Sequence, residues 1–275
     1  MSLNSVNTNT GAMVALQALN RTNEELATTQ KRISTGFRVA DARDDGAAFA
    51  VAERVRSEIA ATQSANEQLG GVKGLLNVTS KALENVSTTL TKLREVVVKL
   101  ADGTISSDQQ TQYQAQAKEL ALNIQGFIQD ASYNGTNVLT TTASQQVVRN
   151  GTGDLYSFNG YDALTSVYDA ISVANGWTIG SAKAAMSTSG AFTNAMTRTL
   201  SQLNNFGNYS RYVDNQINFN KQKMDAQQDG LGALIDADLA KESARLQSLQ
   251  IRQQLGTQSL SIANQAPQAL LSLFR

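Results

Sequence analysis

The residues best suited to chemistry are gathered in one short stretch, "RVADARDDG" at 38–46, where three aspartates alternate with two arginines. Carboxylates at such spacing are typical of calcium loops, which need acidic or amide ligands at the first, third and fifth positions and glutamate at the twelfth. With Asp41 as the first position, the third is Arg43 and the twelfth is Ala52. Two required ligands are missing, so the pattern argues against calcium.

A pair of aspartates could instead act as general acid and base. The interleaved Arg38 and Arg43 would neutralise Asp41, Asp44 and Asp45. Asp44 and Asp45 also stand where a helix is predicted to begin, and the helix dipole favours negative charge there. We therefore interpret all five residues as an inter-domain joint, in which "STG" ends one helix and "DARDD" starts the next. Charges at a joint can also fix the register between subunits, since misaligned like charges repel.

The composition narrows the classes of function. The chain contains no Cys and no His, which removes disulfides, thiolate nucleophiles, most zinc sites and imidazole-based triads. We therefore expect a protein that is not an enzyme and that has no catalytic residues, cofactor or metal. The 23 basic residues balance the 23 acidic ones, so there is no basic field to attract nucleic acid.

The sequence also argues against membrane insertion and a cleaved leader. No apolar run approaches the roughly 20 residues that a membrane-spanning helix needs. The first charged residue is Arg21, so the N-terminal segment lacks the basic region of a cleaved secretory signal. If the protein is secreted, we expect it to leave the cell by another route.

Apolar residues recur at alternating three- and four-residue spacing along most of the chain. This pattern predicts a long helix over about 44–100, a second apolar seam over 113–131 and a returning helix over 192–231. The single proline, Pro267, lies outside these segments, so none of them is interrupted by proline.

The segment at about 140–190 differs in composition, being rich in Gly, Ser, Thr and Asn. Short β-prone patches such as "QQVVR" and "DLYSFNG" flank a helical pattern, "YDALTSVYDAISVA". The predicted fold class is therefore mainly α. It is a long antiparallel helical hairpin or coiled-coil bundle formed by the N- and C-terminal segments, with a small β-hairpin-containing central insertion.

The two ends of the chain resemble each other in composition. Residues 1–20 carry no charged side chain, and none lies between Arg252 and Arg275. Each end has a narrow apolar stripe at helical spacing, too little to order an isolated helix. Packing against each other and against neighbouring copies would bury the stripes, although the seams could also form an ordinary intramolecular core. The residues assigned to this assembly interface are Leu16, Leu19, Leu26, Ile33, Leu246, Leu249, Leu260 and Leu271.

Motifs at both ends resemble bacterial flagellin, the subunit of the flagellar filament. The N-terminal part carries "NTN", "ISTGFR" and "DDGAA", and the C-terminal part carries "QQLGT", "ANQAPQ" and "LLSL". With the central "ASYNGTNVL", the resemblance covers roughly residues 4–139 and 190–275. Several ordered motifs at each end make the resemblance specific.

The resemblance implies a structural protein that polymerises into the extracellular filament used for swimming, after export in an unfolded state by the type III flagellar route. It implies an inner tube domain of residues 1–40 plus 236–275 and an outer rod domain of 41–235, which includes a small surface-exposed variable insertion at 140–190. It places the connector between these domains at 34–46.

The resemblance also implies partners. The first is the chain itself, in a helical homopolymer. The others are an export chaperone and the hook-associated junction and cap proteins. A hook-filament junction protein of the same superfamily is the alternative identity, and the compact middle and complete terminal motifs favour flagellin over it.

Overall fold

The computed structural model describes residues 8–171 and 177–273, with side chains in the last helix described as far as 265. The helices of these ranges are α1 (Thr10–Thr35), α2 (Gly46–Leu100), α3 (Ser107–Gln129), α4 (Asp169–Ile171), α5 (Ile179–Ala185), α6 (Ala191–Ile235) and α7 (Leu239–Leu273). The strands are β1 (Ser132–Tyr133), β2 (Thr136–Asn137), β3 (Ser144–Val148) and β4 (Leu155–Asn159).

The predicted fold class is confirmed, with long helices near both ends of the chain and small antiparallel hairpins in the middle. The helix predicted over about 44–100 is α2, and the returning helix is part of α6. The pattern "YDALTSVYDAISVA" becomes a π-helical turn at Leu164–Tyr168 followed by α4. Its last residues, 172–174, lie outside the described ranges.

The strands form two separate hairpins. In the first, Tyr133 pairs with Thr136 around Asn134 and Gly135, whose φ angles are 48° and 78°. Positive φ at both central residues is the geometry that Asn-Gly hairpin turns favour. In the second, β3 pairs with β4 in antiparallel register from Ser144–Asn159 to Val148–Leu155.

The chain divides into two compact units. We name the residues up to Ser57 and from Ala226 onward the terminal unit, and Glu58–Asp225 the central unit. The finer division predicted above, between tube and rod domains, concerns the assembled filament and stays a prediction.

The core of the central unit rests on a heptad row in α2. The buried residues Leu69, Leu76, Leu83, Leu90 and Val97 follow one another at seven-residue intervals. Such spacing returns each side chain to the same stripe of the helix after about two turns. The same buried cluster contains Ile124 and Ile128 of α3 and Phe206 and Val213 of α6.

Aromatic contacts place the β3–β4 hairpin against α6. The Tyr156 ring of β4 stacks on Tyr212 with 4.0 Å between centroids, and Phe158 contacts Tyr209 at 5.6 Å. These rings supply large apolar contact areas, which a two-stranded hairpin needs because it is marginal alone.

Candidate functional site

The joint, residues 36–45, is fixed by main-chain contacts to the segment that connects α6 to α7. Gly36 ends α1 in the left-handed conformation, with φ at 75°, which glycine adopts without steric cost. Phe37 forms an antiparallel bridge with Asp236. The main-chain N–H of Arg38 donates to the Ile235 carbonyl at 2.6 Å. The path of the chain after α1 is therefore set by main-chain pairing.

A lysine of α1 neutralises two of the predicted joint residues. Lys31 Nζ lies 2.8 Å from Asp41 Oδ2 and 2.8 Å from Asp44 Oδ2. The second oxygen of Asp41 accepts the Arg43 N–H at 2.8 Å, and Asp44 Oδ2 also accepts the Ala40 N–H at 3.0 Å. The Arg43 side chain is 93% exposed and lies 3.5 Å from Asp41, as a surface pair. The carboxylates thus hold a tight turn between α1 and α2.

These contacts shift the titration of the three central groups. The hydrogen bond from Lys31 lowers the pKa of Asp41 from 3.8 to about 2, and the same donor lowers the pKa of Asp44. The hydrogen bonds to Asp41 and Asp44 raise the pKa of Lys31 above 10.5. All three groups are therefore charged across the neutral range.

The remaining joint residues act on helix ends. Asp45 Oδ1 accepts the N–H groups of Ala47 at 3.1 Å and Ala48 at 3.0 Å, so Asp45 caps the start of α2. The Arg38 guanidinium donates to the Leu234 carbonyl near the end of α6 at 2.5 Å. Within the described ranges, no group of three or more acidic side chains is placed to hold a metal ion. The arrangement can hold the connection between α1 and α2 in one conformation.

In the terminal unit, α1 packs against α7 in antiparallel fashion. Leu249 of α7 is buried, at 2% exposure. Leu19 packs on Gly256, where an added Cβ would lie 3.2 Å from Leu19 Cδ1. Partly buried positions among the other predicted interface residues are Leu26, Ile33, Leu246 and Leu260. Leu16 is exposed, and the side chain of Leu271 lies outside the described residues.

Side-chain contacts between α1 and α7 recur along the pair. They are Asn9 Nδ2 to the Ala263 carbonyl at 2.8 Å, Gln253 Nε2 to Asn23 Oδ1 at 2.8 Å, Arg245 Nη2 to Glu25 Oε2 at 3.7 Å and Arg32 Nη1 to Glu242 Oε1 at 3.1 Å. Their numbering falls along one helix as it rises along the other, so together they define one antiparallel register.

The Arg32–Glu242 pair differs from the others in its burial. Glu242 is 8% exposed, whereas Arg245 and Glu25 are solvent-accessible. Arg32 Nε and Glu242 Oε2 are buried without a hydrogen-bond partner in the described part of the chain. Such a pair depends strongly on the alignment of the two helices, because a displaced partner leaves a buried charge uncompensated.

Several apolar side chains of α1 and α7 are exposed, and we name six of them the terminal apolar surface. Each is between 47% and 68% exposed: Met13, Val14, Leu16, Ile251, Leu255 and Ile262. Ile251, Leu255 and Ile262 share one face of α7, roughly opposite the face that carries Leu249 and Gly256, because residues advance by about 100° in a helix. Apolar area is therefore left uncovered on α7, on the side away from the α1–α7 seam, and on α1 at Met13, Val14 and Leu16.

Most of this surface was not predicted. Leu16 is the member that the apolar stripe identified, and Met13 and Val14 are its neighbours in sequence. The signal in α7 was available, since Ile251, Leu255 and Ile262 recur at helical spacing. Lys31, Arg32 and Glu242 were also missed, because their partners lie far from them along the chain.

Comparison with known protein families matches one model to the N-terminal part of the chain and another to the C-terminal part. The family model for the bacterial flagellin N-terminal helical region matches residues 6–144, and that for the bacterial flagellin C-terminal helical region matches residues 189–274. None of the described helices combines the length and the hydropathy of a membrane span.

Relatives match over the whole chain. Flagellin FljK of Caulobacter vibrioides is 35% identical over 276 residues, covering 100% of both proteins. A flagellin of Brucella melitensis is 31% identical over 282 residues, covering 98% of this chain and 99% of its own. The crystal structure of Bacillus cereus flagellin is similar in fold, with a TM-score of 0.50 at 17% identity, over 56% of this chain and 88% of its own.

We predict that the Lys31 contacts stabilise the protein at neutral pH and lose their effect in acid. The stabilisation from a carboxyl with a lowered pKa is complete above its ordinary value of 3.8 and is lost as the pH falls towards about 2. The stabilisation from Lys31 is present below 10.5 and is lost as the pH rises through its raised pKa. Lys31→Met should therefore lower the melting temperature at pH 7, and its difference from the wild type should shrink in acid.

Circular dichroism melts across the acid range measure this difference. Lys81→Met is the matched control, because Lys81 pairs with Glu84 on the surface and is 76% exposed. Equal melting temperatures for Lys31→Met and the wild type at every pH would show that the joint contacts contribute no stability.

We predict that Arg32→Ala destabilises the chain by about 2 kcal/mol, because Glu242 is left buried without its cation. Arg245→Ala is the matched control, and its loosely held pair should contribute about 0.5 kcal/mol or less. Urea denaturation gives both values. The prediction fails if the two variants are equally stable, or if Arg32→Ala is as stable as the wild type.

Proposed function

We propose a structural basis for assembly in this chain, which belongs to the bacterial flagellin family and is a structural subunit of the helical flagellar filament used for swimming. The proposal is that the terminal apolar surface is where neighbouring subunits join. The observation that carries it is the exposure of the six apolar side chains of this surface. The relatives that match over the whole chain are named flagellins, which favours this role over that of a hook-filament junction protein.

The energetics support association through this surface. Fully burying one large aliphatic side chain contributes about 1.5–3 kcal/mol. Six half-exposed side chains could thus contribute on the order of 5 kcal/mol at each subunit, before the entropic cost of association. The chain segments that carry this surface are almost free of charge, so covering it requires little desolvation of ions.

The predicted interface residues would then act in two ways. Leu16 belongs to the terminal apolar surface and would contact a neighbouring subunit directly. Leu19 and Leu249, together with the partly buried residues, would act through the pairing of α1 with α7. Leu271 stays a proposed interface residue on the strength of the sequence pattern.

The family places the protein in the extracellular flagellar filament. We propose that this chain reaches it unfolded, through the type III flagellar route, with an export chaperone before assembly and with hook-associated junction and cap proteins at the filament ends. The absence of cysteine suits such a route, because no disulfide can trap a folded chain. We also propose the domain division given by the resemblance, with residues 1–40 and 236–275 as the tube domain and 41–235 as the rod domain.

We predict that Leu255→Lys abolishes filament growth while the monomer keeps its helical content. The lysine would place a charge in the subunit contact without disturbing the α1–α7 seam, which lies on the other side of α7. Negative-stain electron microscopy of the purified protein, with ammonium sulfate added to strengthen apolar burial, measures growth. Circular dichroism measures helical content.

Gln250→Lys is the matched control. Gln250 is exposed on α7 and lies roughly 120° around the helix from the terminal apolar surface. It should form filaments like the wild type. Long uniform filaments from Leu255→Lys would contradict the proposed surface, and loss of helical content in Leu255→Lys would show that the residue belongs to the fold of the single chain.

A further inference from the structure

A buried asparagine in the central unit connects three elements by hydrogen bonds. Asn220 of α6 is 1% exposed. Its Nδ2 donates to Asn66 Oδ1 of α2 at 2.8 Å and to the carbonyl of Arg149, directly after β3, at 2.9 Å. Its Oδ1 accepts from Gln216 Nε2 at 3.0 Å. Both ends of the Asn220 amide are therefore used, and they connect α2, α6 and the β3–β4 hairpin.

The turn of this hairpin also lies close to the backbone of α2. A Cβ added to Gly151 would lie 2.6 Å from Thr62 Oγ1 and 3.1 Å from the Glu58 carbonyl oxygen. Glu58 Oε1 in turn lies 2.5 Å from Lys223 Nζ of α6. Because a glycine is needed for this approach, the hairpin turn fits α2 at one position along the helix.

The polar contacts carry a cost that apolar packing would avoid. Asn66 Nδ2 and Arg149 Nε are buried without a hydrogen-bond partner in the described part of the chain. Leaving a buried donor unpaired costs about 1–3 kcal/mol. Leucines in place of Asn66 and Asn220 would avoid part of that cost, because the unpaired Asn66 donor would be gone. Stability alone therefore does not account for the two asparagines.

The need to align α6 with α2 does account for the two asparagines. A shift of α6 by one turn along α2, about 5.4 Å, would separate Asn220 from both Asn66 and Arg149. Apolar side chains tolerate such shifts much better, and a single buried asparagine is a known way to fix the register of packed helices.

We propose that Asn220 is a register-setting clamp, which fixes the position of α6 along α2 and holds the tip of the β3–β4 hairpin against both helices. The clamp acts on the fold of the central unit and does not rest on the assembly role proposed above. Asn220 is thus a positioning residue for the hairpin.

The test is hydrogen exchange of the full-length chain carrying Asn220→Leu, which keeps the branched shape and removes the hydrogen bonds. The reporters are the Arg149 N–H, which donates to the Asp154 carbonyl at 2.8 Å, and the Asp154 N–H, which donates to Asn150 Oδ1 at 3.0 Å. We expect exchange at both to rise roughly tenfold or more, since lost buried hydrogen bonds ease local opening. Exchange at Ala121, in the core of α3, should stay unchanged and so exclude global unfolding.

Asn218→Leu is the matched control, because Asn218 is exposed two residues earlier in α6. It should leave hairpin exchange at the wild-type rate. Equal hairpin exchange in Asn218→Leu and Asn220→Leu would overturn the proposal, because apolar packing alone would then seat the hairpin.

A second variant keeps the proposal testable if Asn220→Leu does not fold. Asn66→Leu removes the contact with α2 and leaves the Asn220–Arg149 hydrogen bond. We expect hairpin exchange to rise in this variant, by less than in Asn220→Leu. Wild-type exchange in Asn66→Leu would overturn the role of the α2–α6 contact in holding the hairpin.

Discussion

The antiparallel pairing of α1 with α7 is the interaction on which the terminal unit depends. Each helix carries a narrow apolar stripe and little charge, so neither has enough apolar area to order itself alone. Pairing buries Leu249 and brings Leu19 against Gly256. It also decides which apolar side chains stay uncovered, because the terminal apolar surface of α7 lies opposite the seam. The same pairing that folds the ends therefore prepares a surface for the next subunit.

The charged contacts lie at the end of the helix pair where α1 leads into the joint. The Lys31 contacts close the turn, and the buried Arg32–Glu242 pair aligns α1 with the start of α7. Further along the pair, towards Asn9 and Ala263, neutral amide groups make the hydrogen bonds between the two helices. Charged groups therefore fix the alignment of the two helices, whereas the exposed apolar groups would be stabilised by burial against another copy.

Local patterns were sufficient to predict part of this arrangement. The heptad row of α2 and the joint could be found because the apolar spacing, the glycine that ends α1 and the aspartate that caps α2 are all signals within a few residues. Lys31 and Glu242 could not, because their partners lie 10 and 210 residues away. Asn220 was missed for the same reason, since its contacts depend on how α2, α6 and the β3–β4 hairpin meet in three dimensions.

The most direct test of the account is whether α1 pairs with α7 of the same chain in the assembled filament. The chain has no cysteine, so replacing Asn23 and Gln253 with cysteine introduces one thiol pair at a position where the native side chains are 2.8 Å apart. A short thiol-specific cross-linker is applied to filaments of this variant, which are then dissociated in denaturant. The account predicts cross-linked single chains of monomer mass. A ladder of chains joined to one another would contradict it.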